Sequence, residues 1–279
     1  MPQKAHFISG LPRSGSTLLA AILRQNPRFH AAMASPVGGL VERMLEAMNE
    51  DNEFSRFISP EQKRALILSI FSVYYHPQVD KEIVFGTNRL WCSKLPLIRK
   101  LFAEAKVICC VRNIAWIMDN IELLIQRNAL DFSRLFNNPA ERATVYSRTE
   151  ALSQGSRLVG YAYKALKKAF YSEHSASFRL VNYELLTIKP AKTRSLIYQF
   201  LGEESFEQDL ENIQYEEQEF DKKLKTQELH QVRVQVEFKP RKTILPPDLF
   251  ERFNGLYFWE KSSYSKASVI VTKQKLTGN

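Results

Sequence analysis

Phe7-Ile-Ser-Gly-Leu-Pro-Arg-Ser-Gly-Ser-Thr-Leu-Leu19 is the stretch on which the fold of this chain turns. Residues 5–9 read as a short buried strand that stops at Gly10, and residues 16–25, with Leu18, Leu19, Ile22 and Leu23 on one face, read as a helix. Gly10 to Thr17 therefore joins strand to helix through a tight loop of P-loop length, with glycines where backbone must come close to an anion. Successive N–H groups and the positive end of the helix dipole make such a turn a cradle for phosphate oxygens. The pattern G-x-x-x-x-G-K-[ST] asks for lysine after the second glycine, but Ser16 stands there and the positive charge sits at Arg13. Without that lysine, and with no acidic strand end to hold Mg²⁺, a small-molecule kinase is the weaker enzyme reading. A glycine turn that only caps the helix through Ser14 or Ser16 is the plain structural alternative, although Arg, two Ser and Thr together exceed what a cap requires.

Outward from the loop, 83–85, 107–111 and 178–181 read as further strands, the apolar run 107–111 as a central parallel one. Helical patterns cover 39–49, 60–75 (with Pro60 at the start after Ser59), 95–103, 114–126, 147–171 and 192–200. The alternation predicts an α/β fold of P-loop-like, three-layer type, a central parallel sheet flanked by helices. The strands are spread over most of the 279 residues, so one domain, 1–279, is expected.

The 39 Lys and Arg against 30 Asp and Glu leave a formal charge of +9, which brings an anionic ligand, nucleic acid or a membrane surface into play. A nucleic-acid-binding module would interleave cations with aromatics; Tyr74, Tyr75 and Tyr257-Phe-Trp259-Glu-Lys261 carry aromatics with sparse charge, so no nucleic-acid partner is expected. No run approaches a membrane span, the first residues offer no signal-type apolar region, and three Cys give neither a disulfide framework nor a metal spacing. A cytoplasmic, reducing location without a bound metal is the expectation. The acidic stretch 203–219 reads as a solvated surface.

The quoted loop resembles the 5′-phosphosulfate loop of sulfotransferases that use 3′-phosphoadenosine 5′-phosphosulfate (PAPS). Its Pro-Arg-Ser-Gly-Ser-Thr followed by Asn26-Pro27 is similar to tyrosylprotein-type and bacterial members more than to cytosolic steroid and phenol enzymes. The resemblance implies that Pro12, Arg13, Ser14, Gly15, Ser16 and Thr17 hold the 5′ end of PAPS. That family also follows a central strand with an arginine and, eight positions later, a serine, which grip the 3′-phosphate. Here Arg112 follows Val107-Ile-Cys-Cys-Val111 and Asn120 stands in the serine's place, its amide still a donor. The blander alternative makes Arg112 a surface salt-bridge partner and Asn120 an exposed polar residue.

Three more matches fall in family order. Tyr183, in Asn182-Tyr-Glu184 after the strand at 178–181, corresponds to a tyrosine that touches the nucleotide, or is simply half-buried at a strand end. Arg89 in Thr87-Asn88-Arg89 lies where the family carries a lysine, or is a solvated loop cation. The basic segment Val236-Glu-Phe-Lys239-Pro-Arg241-Lys242 resembles the late segment that closes over the nucleotide, and equally fits a solvated charge run.

The implied reaction is in-line transfer of a sulfuryl group from PAPS to a hydroxyl acceptor (small molecule, sugar, lipid or peptide tyrosine), with Arg13 and Arg89 stabilising developing charge and no metal. The general base does not carry over. The histidine of cytosolic members aligns with Trp91, and the glutamate of tyrosylprotein-type members with Met33 or Ala34. Glu42 is the candidate base, on a helix facing the cleft; His30 and His230 are the weaker choices.

Overall fold

A strand with neighbours on both sides and helices on both faces has to be apolar throughout, and Val107–Val111 is wholly buried. In the computed structural model, which describes residues 4–130, 133–213, 235–260 and 264–270, it is the fourth of six strands. These are β1 (Lys4–Gly10), β2 (Phe29–Ala31), β3 (Ile83–Thr87), β4 (Val107–Val111), β5 (Phe178–Asn182) and β6 (Ser268–Ile270). They form one sheet in the order β2-β3-β1-β4-β5-β6, and every pairing is parallel.

Because successive strand side chains point to opposite faces, β1 feeds two cores. Ile8, Phe29, Phe85, Ile108 and Val181 pack beneath α1 (Ser16–Arg24) and, further along the chain, the helix 190–201. Phe7, Val84, Val107, Cys109 and Leu180 pack on the other face, with Val41 of α2 (Val37–Ala47), Phe71 of α3 (Pro60–Tyr74) and Ile98 of α4 (Leu95–Leu101). Ser59 opens α3 as a capping box: its hydroxyl accepts from the Gln62 N–H at 3.2 Å while its own N–H donates to Gln62 Oε1 at 2.8 Å. The rest of the helical layers comprise α5 (Ile114–Arg127), α6 (Pro139–Arg142), α7 (Val145–Ser153), α8 (Leu158–Phe170), α9 (Tyr183–Ile188), α10 (Pro190–Leu201) and α11 (Pro247–Asn254).

The expected helix over 147–171 is two helices. Gln154 is extended, with ψ of 146°, and the chain folds back so closely that a Cβ at Gly160 would lie 2.1 Å from the Ser153 carbonyl oxygen. The two edge strands were not anticipated; each is three residues long and defined only by its partner. No helix among the described residues is long and apolar enough to cross a membrane.

From β1 the chain moves toward β2 and β3, whereas from β4 it moves toward β5 and β6. The connections therefore part between β1 and β4, and open parallel sheets bind ligands at such a point, in the crevice beyond the carboxyl ends of the strands.

Candidate active site

The crevice is built first by Gly10. Its φ of 122° and the 2.2 Å that would separate an added Cβ from the Cys110 carbonyl oxygen leave room for glycine alone. Leu11 N–H donates to that same carbonyl at 3.0 Å, which ties the loop to β4. Ser14 turns inward, fully buried, its hydroxyl within bonding distance of the carbonyls of Leu11 (2.5 Å) and Cys110 (2.8 Å). Its side chain is thus a strut that ties the loop to β4. Arg13 adopts φ of 56°, left-handed for a residue with a side chain, and Gly15 follows at 94°. Such backbone concentrates at sites where strain serves function.

Gly15 gives α1 no side-chain cap, and the first N–H bonded back to the cap is that of Leu19, to the Gly15 carbonyl at 2.9 Å. The N–H groups of Ser16, Thr17 and Leu18 thus open the helix without intrahelical partners, at the positive end of its dipole. Pro12 precedes Arg13 in the turn and is buried.

Arg13 Nε donates to Asn120 Oδ1 on α5. Asn120 so orients Arg13 across the mouth between β1 and β4, its oxygen committed and its NH₂ left as the donor. Arg112, at the end of β4, pairs through Nε with Glu184 Oε1 at 3.3 Å, and its guanidinium lies 4.3 Å from the Tyr183 ring centroid. The same tyrosine backs the loop, for a Cβ on Gly15 would come within 2.9 Å of its ring. Tyr183 is the wedge between the Gly10–Thr17 loop and Arg112, so the loop that carries Arg13 and the guanidinium of Arg112 lie against one side chain.

Arg89 opens a 3₁₀ turn, Arg89–Cys92, whose first carbonyl accepts from Ser9 Oγ at 3.2 Å. Its side chain reaches solvent, yet the surrounding protein mass lowers its pKa by desolvation, and among the described residues it makes no hydrogen bond or ion pair. Glu42 on α2 is ion-paired with Lys94, whose N–H donates to Leu90 and Trp91 carbonyls of that turn, each at 3.2 Å. Lys94 was not foreseen; nothing in its spacing set it apart from other helix-flanking lysines.

The base positions are also explained. Trp91 is a core plug, stacked on Phe71 (centroids 5.8 Å) and edge-on to Phe7 (4.9 Å), and Met33 is buried. His30 is the middle residue of β2, paired in register with Val84, and burial first and then Arg24 and Lys81 lower its pKa. His230 lies outside the described residues.

In the late segment Arg241 is occupied by Asp119 of α5 and lies over Trp116, 5.3 Å from the ring centroid. It anchors the segment to α5. Lys239 pairs with Glu237 at 2.5 Å, and Lys242 is exposed. Asp119 escaped the sequence reading because one acidic residue in an amphipathic helix looks solvated.

The sulfotransferase family model matches residues 6–208. Among solved structures, the sulfotransferase domain from the Synechococcus PCC 7002 olefin synthase superposes with a TM-score of 0.51 at 19% identity, over 92% of this chain and 89% of that one. The sulfotransferase from Alicyclobacillus acidocaldarius gives 0.50 at 14%, over 80% of this chain and 90% of that one. At these identities the likeness is one of fold. No curated protein matches the sequence. The family match spans β1 through α10 and takes in the loop, Arg89, Arg112 and Tyr183: the chain belongs to the sulfotransferase family and is a sulfotransferase.

Proposed function

We propose that the chain, working as a single domain of residues 1–279, moves the sulfuryl group of PAPS to a hydroxyl acceptor in line and without a metal. The observation that carries this reading is the Tyr183 wedge, which brings the anion-binding loop and Arg112 to one crevice, as a donor anionic at both ends requires. The residues fit such a donor: uncapped N–H groups and Arg13 at one end, Arg112 and the Asn120 amide at the other. PAPS supplies the sulfuryl group and a phosphate oxygen on which negative charge grows as the bond to sulfur breaks. Arg13, already oriented by Asn120, meets that charge without reorganising, and loss of one such donor costs roughly 3–4 kcal/mol of transition-state stabilisation. Arg89, a cation with no anionic partner among the described residues, is the second donor.

Glu42 takes the acceptor's proton at its carboxylate, held in place by Lys94, a role worth about 10²- to 10⁴-fold in rate. The three cysteines are free and buried, which fits a reducing, cytoplasmic setting. The partner is a small molecule, sugar, lipid or peptide tyrosine bearing a hydroxyl, and not nucleic acid. The test is thermal unfolding in EDTA with PAP, the desulfated product, followed by transfer of radiolabelled sulfate across those acceptor classes. PAP is expected to raise Tm, and Arg13→Ala to remove most of the shift. No shift at millimolar PAP, or a larger Mg²⁺-dependent shift with ATP, would overturn the reading.

A further inference from the structure

We infer that Asp119 is a positioning residue that latches the basic segment 236–245 across the nucleotide crevice, an inference that rests on the PAPS reading above. Asp119 is wholly buried, and three groups from one short stretch of chain converge on its carboxylate. Thr243 Oγ1 and the Ile244 N–H each donate to Oδ1 at 2.7 Å, while the Arg241 guanidinium faces Oδ2. A carboxylate taken out of water is stable only when its oxygens are matched in this way. The match here comes from a segment otherwise without helix or strand.

The route of the segment gives the latch its purpose. Val236 packs against the core beneath α1 and α10 and donates its N–H to the Leu210 carbonyl at 3.0 Å, whereas Leu245 is buried in the core on the opposite face of the sheet. Ten residues reach at most about 33 Å, so the segment is a strap from one helical layer to the other. It lands on α5 one residue from Asn120, the residue that holds Arg13. Beyond the landing, α11 packs on α5, with Asn113 Nδ2 donating to Asn254 Oδ1 at 2.8 Å and Phe250 edge-on to Trp116 at 5.3 Å. The strap is thereby fixed on both sides of its exposed stretch, Phe238 to Lys242. With Arg241 paired to Asp119, Lys242 remains an exposed cation of the strap, and it is the one the latch would hold toward the crevice.

The test uses the full-length chain with Asp119→Ala, Asp119→Asn and Thr243→Val. Each is read by tryptic cleavage at Arg241 and Lys242, by calorimetric PAP affinity, and by PAPS kinetics with radiolabelled sulfate. Asp119→Ala is expected to speed that cleavage at least about tenfold and to raise PAP Kd and the KM for PAPS by about tenfold, with kcat at saturation changed less than about threefold. Asp119→Asn, which keeps an acceptor for Thr243 and Ile244, falls between. Thr243→Val removes a single bond from the exposed side; it shows a smaller shift in the same direction and decides the matter if Asp119→Ala fails to fold. Faster cleavage with unchanged PAP affinity would separate the strap from the nucleotide site and overturn the inference. Unchanged cleavage, or a fall in kcat with KM unmoved, would overturn it as well. A wild-type protein that binds no PAP overturns the PAPS reading instead, and the cleavage comparison then shows on its own whether Asp119 holds the strap.

Discussion

Arg13 combines the two requirements of the loop in one residue, since its backbone bends left-handed while its side chain crosses to Asn120. Arg13→Ala and Arg13→Gly lose the same side chain and the same bond, and differ in the cost of a Cβ at positive φ. The glycine variant is therefore expected to be the more stable by about 1 kcal/mol in denaturant titration, with neither responding to PAP. Equal stability, or a stabler alanine variant, would mean that the backbone there is unstrained. His6 gives a pH signature. Burial, aided by Lys4 and Lys106 and opposed by Glu203, brings its pKa down to about 4 from 6.5. Between those values the unfolded chain binds the proton and the native one does not, so stability is full above pH 6.5 and falls as pH drops toward 4, by up to roughly 3 kcal/mol. Tm should decline from pH 6.5 to 5, and His6→Gln should flatten that slope; an unchanged slope in the variant would assign it to other groups. At this scale the sequence marks out the loop and Arg112 as candidates, because an anion site would demand those residue types at that spacing. It does not tell which way a hydroxyl or guanidinium turns, so Ser14 became a strut and Arg241 an anchor.

Among the elements, α5 does the most. Asn113 caps it, Asp119 holds the strap, Asn120 holds Arg13, and Glu122 receives Arg148 of α7 through two bonds of 2.8 and 2.6 Å. That pair is nearly buried on both sides, and removal of one partner leaves the other charge stranded. Glu122→Ala is accordingly expected to cost about 3–5 kcal/mol in denaturant unfolding, far above a surface pair. A loss below about 1 kcal/mol would show the pair to be solvated in solution. The boundaries of α5 and β4 were legible almost to the residue, for both are long apolar patterns with clear ends. The break between α7 and α8 was not, because periodicity carries no trace of a carbonyl that sits where a Cβ would go. β2 and β6, three residues apiece, owe their existence to β3 and β5, not to any pattern of their own.

For the molecule as a whole, the alternation of strands and helices announced a parallel sheet, and the sheet order then dictated where the crevice lies. The order has a temporal side too. The opening strand sits in the middle, with Ile83 standing beside Lys4 and Val107 beside Phe7, a separation of 100 residues in the second case. Ribosomes add roughly 5–20 residues per second, so β1 emerges many seconds before the strand that flanks it on the loop side exists. Until then its unpaired N–H and C=O groups on that side are open to other nascent chains, and the loop after β1, which hangs on the Cys110 carbonyl, cannot take shape. A newborn copy of this enzyme is consequently most vulnerable to aggregation in the interval between the emergence of β1 and that of β4, when a chaperone near the exit tunnel would matter most.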